Sequence, residues 1–241
     1  SRDDGLGTQL GLLEEGFFYD GDRPRRWANV DDAWVHGYWA YDWANSYERI
    51  ASIDVENRRI HTEPPHGLHG FRPQQRIFFL NILEELDRPG EYFVDRANGI
   101  LYLWPPKSLA RAEVMISLLE EPLLFLKGAR HIFLRDVELT ATRGRAVTIE
   151  GGRDCMIAGC RISNTGNYGV WLDGGTDHGV QNCDIWNNGD GGVSLAGGDR
   201  KTLTPCRHYV HNCHFRHQAR WSRCYVPAVN LEGVAPASPT I

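Results

Sequence analysis

Three acidic residues hold the same place in near-copies of one short phrase: Glu150 in Val147-Thr148-Ile149-Glu150-Gly151-Gly152, Asp173 in Val170-Trp171-Leu172-Asp173-Gly174-Gly175, and Glu232 in Val229-Asn230-Leu231-Glu232-Gly233. Carboxylates held side by side can divide the work of general acid and general base or nucleophile, because neighbouring like charges raise the pKa of one of them. Trp171 adds a flat apolar face with a polar edge. Alternatively, an acid before glycine is a turn residue with no chemistry. The choice depends on whether the chain stacks the three phrases.

The spacing predicts that it does. A fourth copy, Val193-Ser194-Leu195-Ala196-Gly197-Gly198, lies between Asp173 and Glu232. The starts at 147, 170 and 193 are 23 residues apart, a weaker copy begins 23 residues earlier at Leu124, and the copy at Val229 follows after 36. A fixed period of this kind marks a solenoid. A second element keeps the step at Leu134 to Leu139, Ile157 to Ile162, Val180 to Ile185 and Val210 to Phe215, which stacks Val137, Cys160, Cys183 and Cys213. Short apolar-alternating runs punctuated by Gly, Asn and Asp read as strands joined by tight turns. Alternation then points Val147 and Ile149 inward, Thr148 and Glu150 outward. The copies build an outward column of Lys127, Glu150, Asp173, Ala196 and Glu232, beside a second of Phe125, Thr148, Trp171, Ser194 and Asn230. Adjacent coils set Glu150 and Asp173 about 4.8 Å apart by backbone, with Glu232 two coils from Asp173.

Two or three strands per turn, Asn-rich turns and a period in the low twenties resemble the right-handed parallel β-helix family of carbohydrate-active proteins. Upstream, the run from Gly90-Glu91-Tyr92-Phe93-Val94-Asp95 through Asn98-Gly99 to Leu103-Trp104-Pro105-Pro106 is similar to the segment that precedes the coils in β-helix proteins related to glycoside hydrolases. The expected fold class is all-β. Residues 111–241 form a right-handed parallel β-helix, and residues 1–110 an aromatic-rich β/α segment packed on it. The resemblance implies a polysaccharide or oligosaccharide partner, an extracellular or periplasmic location, and hydrolysis by Asp173, Glu232 and Glu150, whose spacings bracket the carboxyl separations of retaining and inverting glycosidases. Trp171 and Trp186 would then be stacking platforms. A polysaccharide lyase acting on uronates, using a histidine or arginine and possibly Ca²⁺, fits the same scaffold, as does a non-catalytic glycan-binding adhesin or spike module.

Composition narrows the classes. The chain has 241 residues, 41% of them hydrophobic, and a net charge of -5 without long like-charge blocks. That leaves no electrostatic footprint for nucleic acid or an anionic membrane. No run of about 18 apolar residues could span a bilayer, and the start Ser1-Arg2-Asp3-Asp4 has no signal-peptide core. The polar start and the Pro236-Ala237-Ser238-Pro239 end, with no apolar cap after Val229, suggest a piece of a longer β-helix. Nothing sets the oligomeric state.

Ahead of the repeats, Trp27 to Tyr47 holds four of the eight tryptophans. Trp39 and Trp43 either bind sugar rings or wedge this segment in place. Strands are expected at Gly16 to Tyr19 and Ala112 to Ser117, hairpins over Glu48 to Thr62 and Glu91 to Trp104, and a short amphipathic helix over Arg76 to Leu86. The loop Pro64 to Phe71 carries His66 and His69, either as pocket groups or as surface residues of a rigid connector.

The fourth coil breaks the period, and insertions in solenoids map to loops on one face, often the binding face. It holds His208, His211, His214 and His217. On a continuous strand His208 and His214 would share one face and His211 and His217 the other, which argues against a four-histidine metal site. His208 or His214 is a candidate proton-transfer or substrate-binding group near Asp184. Arg220, Trp221 and Arg223, with Arg207, could grip an acidic sugar. No Cys-x-x-Cys pair exists, so zinc-ribbon and thioredoxin-like motifs are excluded. No metal or other cofactor is implied for a hydrolase, and Cys206 and Cys224 both fall in the irregular part of the fourth coil and could form a disulfide, a pairing that sequence spacing does not establish.

Overall fold

Every 23 residues the chain lays down three short strands, because each apolar pair in the repeat can be shielded only by the same pair one coil away. A computed structural model describes residues 2–3 and 9–233. The chain divides into two units, Ser1–Glu113 and Val114–Ile241.

In the second unit, coil one comprises β10 (Leu124–Lys127), β11 (Phe133–Arg135) and β12 (Glu138–Thr142), and coil two β13 (Val147–Glu150), β14 (Met156–Ala158) and β15 (Arg161–Thr165). Coil three comprises β16 (Val170–Asp173), β17 (Gly179–Gln181) and β18 (Asp184–Trp186), and coil four β19 (Val193–Gly197), β20 (Tyr209–His211) and β21 (His214–Arg216); β22 (Val229–Gly233) opens a fifth. Strands at like positions pair in parallel, giving sheet A (β10-β13-β16-β19-β22), sheet B (β11-β14-β17-β20) and sheet C (β12-β15-β18-β21). The interior is a stack of Val147, Ile149, Ile157, Ile162, Val170, Leu172, Val180, Ile185, Val193 and Leu195, all essentially solvent-free. Each such side chain contributes roughly 1.5–3 kcal/mol by leaving water.

The second sequence element is two strands and not one. A corner residue with left-handed backbone separates sheet B from sheet C in every coil: Asp136 (φ 58°), Gly159 (62°), Asn182 (54°) and Asn212 (48°). Asn212 Nδ2 donates to Asn182 Oδ1 at 2.7 Å, so the asparagine stack does bond between coils. Another left-handed corner precedes sheet B at His131, Asp154, Asp177 and Arg207, and a third left-handed position recurs at sheet C, within β12 and β15 at Ala141 and Asn164 and directly after β18 and β21 at Asn187 and His217. Sheet A ends on glycine. At Gly152 (φ 79°) a Cβ would lie 1.9 Å from Ala129 O, so the tight turn demands glycine there. Cys160 and Cys183 point inward as solvent-free thiols, with Cys213 half-buried above them.

In the first unit an antiparallel sheet runs in the order β3-β6-β5-β4-β7: β3 (Phe17–Phe18), β4 (Trp34–Tyr41), β5 (Ala44–Asp54), β6 (Arg59–Glu63) and β7 (Ile77–Leu80). Two-residue strands β1 (Arg2–Asp3) and β2 (Gln9–Leu10) pair with each other, and β8 (Tyr92–Asp95) and β9 (Ile100–Leu103) form the Asn-Gly hairpin. The helix expected over Arg76 to Leu86 is instead β7, paired with Trp34–Gly37, followed by a single 3-10 turn at Leu83–Glu85. Ile77-Phe78-Phe79-Leu80 is β-branched and aromatic, and an open sheet edge outweighs a helix-like spacing over so short a run. No strand forms over residues 112–120. Among the described residues no helix is long and apolar enough to cross a membrane.

Candidate functional site

Sheet A sets the acids in line. Lys127 pairs in register with Glu150, Glu150 with Asp173, Asp173 with Ala196, and Ala196 with Glu232. The neighbouring row runs Phe125, Thr148, Trp171, Ser194, Asn230. Asp173 and Glu232 are exposed and Glu150 is partly so. Lys127 Nζ lies 3.7 Å from Glu150 Oε2. Glu232 Oε1 accepts from Asn230 Nδ2 at 2.9 Å, and the same amide nitrogen reaches Ser194 Oγ at 3.3 Å. Asp173 has a methyl-bearing neighbour, Ala196, on the side toward Glu232.

Three residues in the loops that lead from sheet C into sheet A complete this surface. Arg145 places its guanidinium 4.0 Å from the Trp171 ring centroid and its Nε 3.4 Å from Asn167 Oδ1. Tyr168 meets the edge of Trp171 at 5.3 Å between centroids. The Tyr168 ring can lie there because Gly191 has no side chain; a Cβ on it would come 2.3 Å from Tyr168 Cε1. Asp190 is only 8% exposed, and its Oδ1 has no hydrogen-bond partner. Burial holds the Arg145 pKa below its ordinary value, against the pull of Asp173, Asp190 and Glu150, while burial together with the charges of Asp190 and Glu232 pushes the Tyr168 hydroxyl up. Four carboxylates therefore share the surroundings of one arginine, one tyrosine and one tryptophan. Thr148 and Ser194 are fully buried in the Trp171 row although they point out of the coil.

The other expected site residues lie apart. Trp186 is on sheet C, between the guanidinium groups of Arg161 (5.6 Å) and Arg216 (4.6 Å). His214 is also on sheet C, exposed, with Nδ1 3.3 Å from Asp184 Oδ1. Arg220 and Trp221 are exposed in the loop after β21, whose backbone is tied to the entry of β19 by Trp221 N to Gly189 O (2.7 Å) and Ala219 N to Asp190 O (2.8 Å). Arg207 holds Asp177 with both nitrogens of its fork, Nε to Oδ1 at 2.6 Å, within its own corner column.

His208 is not a surface group. It is fully buried, stacked on His178 at 5.1 Å between ring centroids. His178 Nδ1 accepts from Cys155 N at 3.1 Å and its Nε2 bonds Gly151 O at 2.9 Å; His208 repeats the pattern one coil on, with His178 N at 3.2 Å and Gly174 O at 3.1 Å. A ring that accepts at Nδ1 and donates at Nε2 is neutral. Burial and the neighbouring ring push His208 down to about 4, and burial lowers His178 also. The shared face expected for His208 and His214 fails because the left-handed corner at Asn212 interrupts the alternation between them.

In the first unit Trp39 is likewise structural, 4% exposed and packed 5.2 Å from Phe17. Trp43 is 48% exposed, stacked on Tyr41 at 4.9 Å and 10°, with the His69 ring at 5.2 Å. His66 faces the buried Glu48 carboxylate at 3.2 Å and so anchors its loop. Among the described residues no group of three or more His, Cys, Asp or Glu is placed to hold a metal ion.

Residues 122–227 match the family described as the right handed beta helix region. No curated protein matches the chain by sequence. A solved structure named "Glycoside hydrolase" superposes with a TM-score of 0.67 at 16% identity, covering 80% of this chain. The chain spans 46% of that structure's length. At that identity the likeness is one of fold, and together with the three parallel sheets it defines the second unit as a right-handed parallel β-helix.

Proposed function

We propose that this chain acts on a polysaccharide as a glycoside hydrolase, with Asp173 and Glu232 as the acid and base pair on sheet A and Trp171 as the sugar platform. The observation that carries the reading is the unbroken register that aligns both acids across Ala196. Two coil steps separate their backbones by about 9.6 Å, near the wide separation an inverting pair needs to admit a water molecule, and Ala196 leaves the space between them clear. Glu150 is one step from Asp173, closer to a retaining pair, but it is already engaged by Lys127. A glycoside hydrolase built on the same fold supports this chemistry. Such polymers are met outside the cytosol, so an extracellular or periplasmic location goes with the proposal. The rival lyase reading has less support, since Arg207 is held by Asp177.

A panel of polysaccharides incubated with the protein, and read for new reducing ends and for the absorbance of unsaturated uronates, tests the proposal. Reducing ends alone are expected. Both signals together would indicate a lyase, and binding with neither signal a glycan-binding module.

A further inference from the structure

We infer that sheet C carries a second glycan site, one that takes an acidic sugar polymer, with Arg161 and Arg216 as its anion ligands and Trp186 as the post that holds them; it does not depend on the hydrolase reading of sheet A. On the outer side of sheet C the row Thr140, Ser163, Trp186, Arg216 runs in register beside the row Glu138, Arg161, Asp184, His214. Trp186 is partly buried, while both arginines are exposed. The guanidinium carbon of Arg216 lies 4.6 Å from the indole centroid and that of Arg161 lies 5.6 Å from it. One ring in coil three therefore gathers a cation from the coil before it and another from the coil after it. The backbones of the two arginines are two coil steps, about 9.6 Å, apart along the axis.

The acids of these two rows leave Arg216 uncompensated. Asp184 faces His214 Nδ1 at 3.3 Å, Glu138 stands at a long 3.9 Å from Arg161 Nη1, and among the described residues no carboxylate pairs with Arg216. A guanidinium resting on an indole is positioned by the ring, and its planar N–H fork stays available for the oxygens of an anion. The backbone is pinned as well. Arg216 O accepts from Asn187 N at 3.3 Å and from Gln218 Nε2 at 3.2 Å, and the same Gln218 nitrogen reaches Ile185 O at 2.9 Å. Holding the arginines in place before the ligand arrives lowers the ordering cost of binding. Two fixed cations spaced along the coil axis suit a linear polymer with an acid on every ring, whose carboxylates reach first one arginine and then the other. A nucleic acid needs a broad stripe of cations, which two arginines do not make, and the net charge of -5 opposes a long polyanion over the rest of the chain.

The test is calorimetric binding to the full chain, at two salt concentrations, of length-matched oligosaccharides of the galacturonate, sulfated galactose and neutral glucose series, with a single-stranded oligonucleotide of equal charge beside them. The acidic oligosaccharides are expected to bind about tenfold or more tightly than the neutral one at low salt, with the gap narrowing as salt rises. A preference for the galacturonate or for the sulfated series tells which acid the forks take. Arg216→Gln and Arg161→Gln, both at exposed positions, are each expected to weaken acidic-glycan binding about tenfold without lowering Tm, whereas Asp173→Asn on sheet A should leave it unchanged. The inference is overturned if neither acidic series binds, if the neutral oligosaccharide or the oligonucleotide binds as tightly, if both arginine variants keep the parent's affinity, or if Asp173→Asn abolishes the binding and so moves it to sheet A. Cleavage at sheet A is read separately, by reducing ends, and that reading stands or falls independently of these results.

Discussion

Replacing His208 by asparagine removes one rung of the buried imidazole ladder, with an effect that depends on pH. The folded protein holds His208 at about 4, against 6.5 for an unhindered ring, because burial and the His178 ring oppose its charging. The unfolded chain therefore takes up its proton near pH 6.5 and the folded chain only near pH 4. The stability that the neutral ring provides is accordingly complete above pH 6.5, declines as the pH falls below that value, and is gone below about pH 4. An interval of about two and a half pH units, at about 1.4 kcal/mol each, amounts to about 3 kcal/mol. At neutral pH His208→Asn itself should cost about 1–3 kcal/mol, since it breaks contacts to His178 N and Gly174 O in a buried place. Urea unfolding followed by tryptophan fluorescence from about pH 8 to about pH 4 gives both curves. On acidification the parent's advantage over the variant should fall by about 3 kcal/mol, to nothing or to a variant more stable than the parent. A gap that stays constant, or a parent that gains stability toward acid pH, would refute the neutral ladder.

Other perturbations reach the coils, the first unit and the chemistry. Gly152→Ala puts a methyl group against Ala129 O at a left-handed φ and should destabilise the coils by about 2 kcal/mol, seen as a lower denaturation midpoint with an unchanged slope. Trp39→Ala should cost about 3–5 kcal/mol of stability because the ring is core, whereas Trp43→Ala, at the surface, should change stability by less than about 0.5 kcal/mol. Proton NMR of the first-formed product should show inverted anomeric configuration, as the Asp173 and Glu232 separation requires; retention would transfer the pair to Glu150 and Asp173.

The repeat was legible because a fixed 23-residue step leaves little freedom: once Val147, Val170 and Val193 align, each neighbour in sheet A is assigned a face, and the rows Glu150–Asp173 and Thr148–Trp171 follow. Two kinds of residue escaped. Corners taken by Asp, Asn, His and even Arg207 in left-handed backbone carry no strong local signature, so what reads as one strand from Val210 to Phe215 is two, and simple alternation assigns the histidines to the wrong faces. Residues outside the strands had no alternation to place them. Arg145, Tyr168 and Asp190 sit in loops, and the available signal was positional: Arg145 and Tyr168 each stand two residues before a repeat valine, and Asp190 three before Val193. In the first unit, clustered tryptophans could not be divided into core Trp39 and surface Trp43 by composition, because that division depends on which strand each ring leaves and on which side.

The proposed hydrolysis at the face that sheet A presents depends on the side-chain carboxyl group of Asp173. Asp173→Asn keeps shape and register and removes only the ionisable group. With a polysaccharide that the parent protein cleaves, release of reducing ends should fall by about 10²–10⁴ while the affinity for the same oligosaccharide, measured by calorimetry, stays within a few fold. Undiminished release of reducing ends by Asp173→Asn would contradict the assignment.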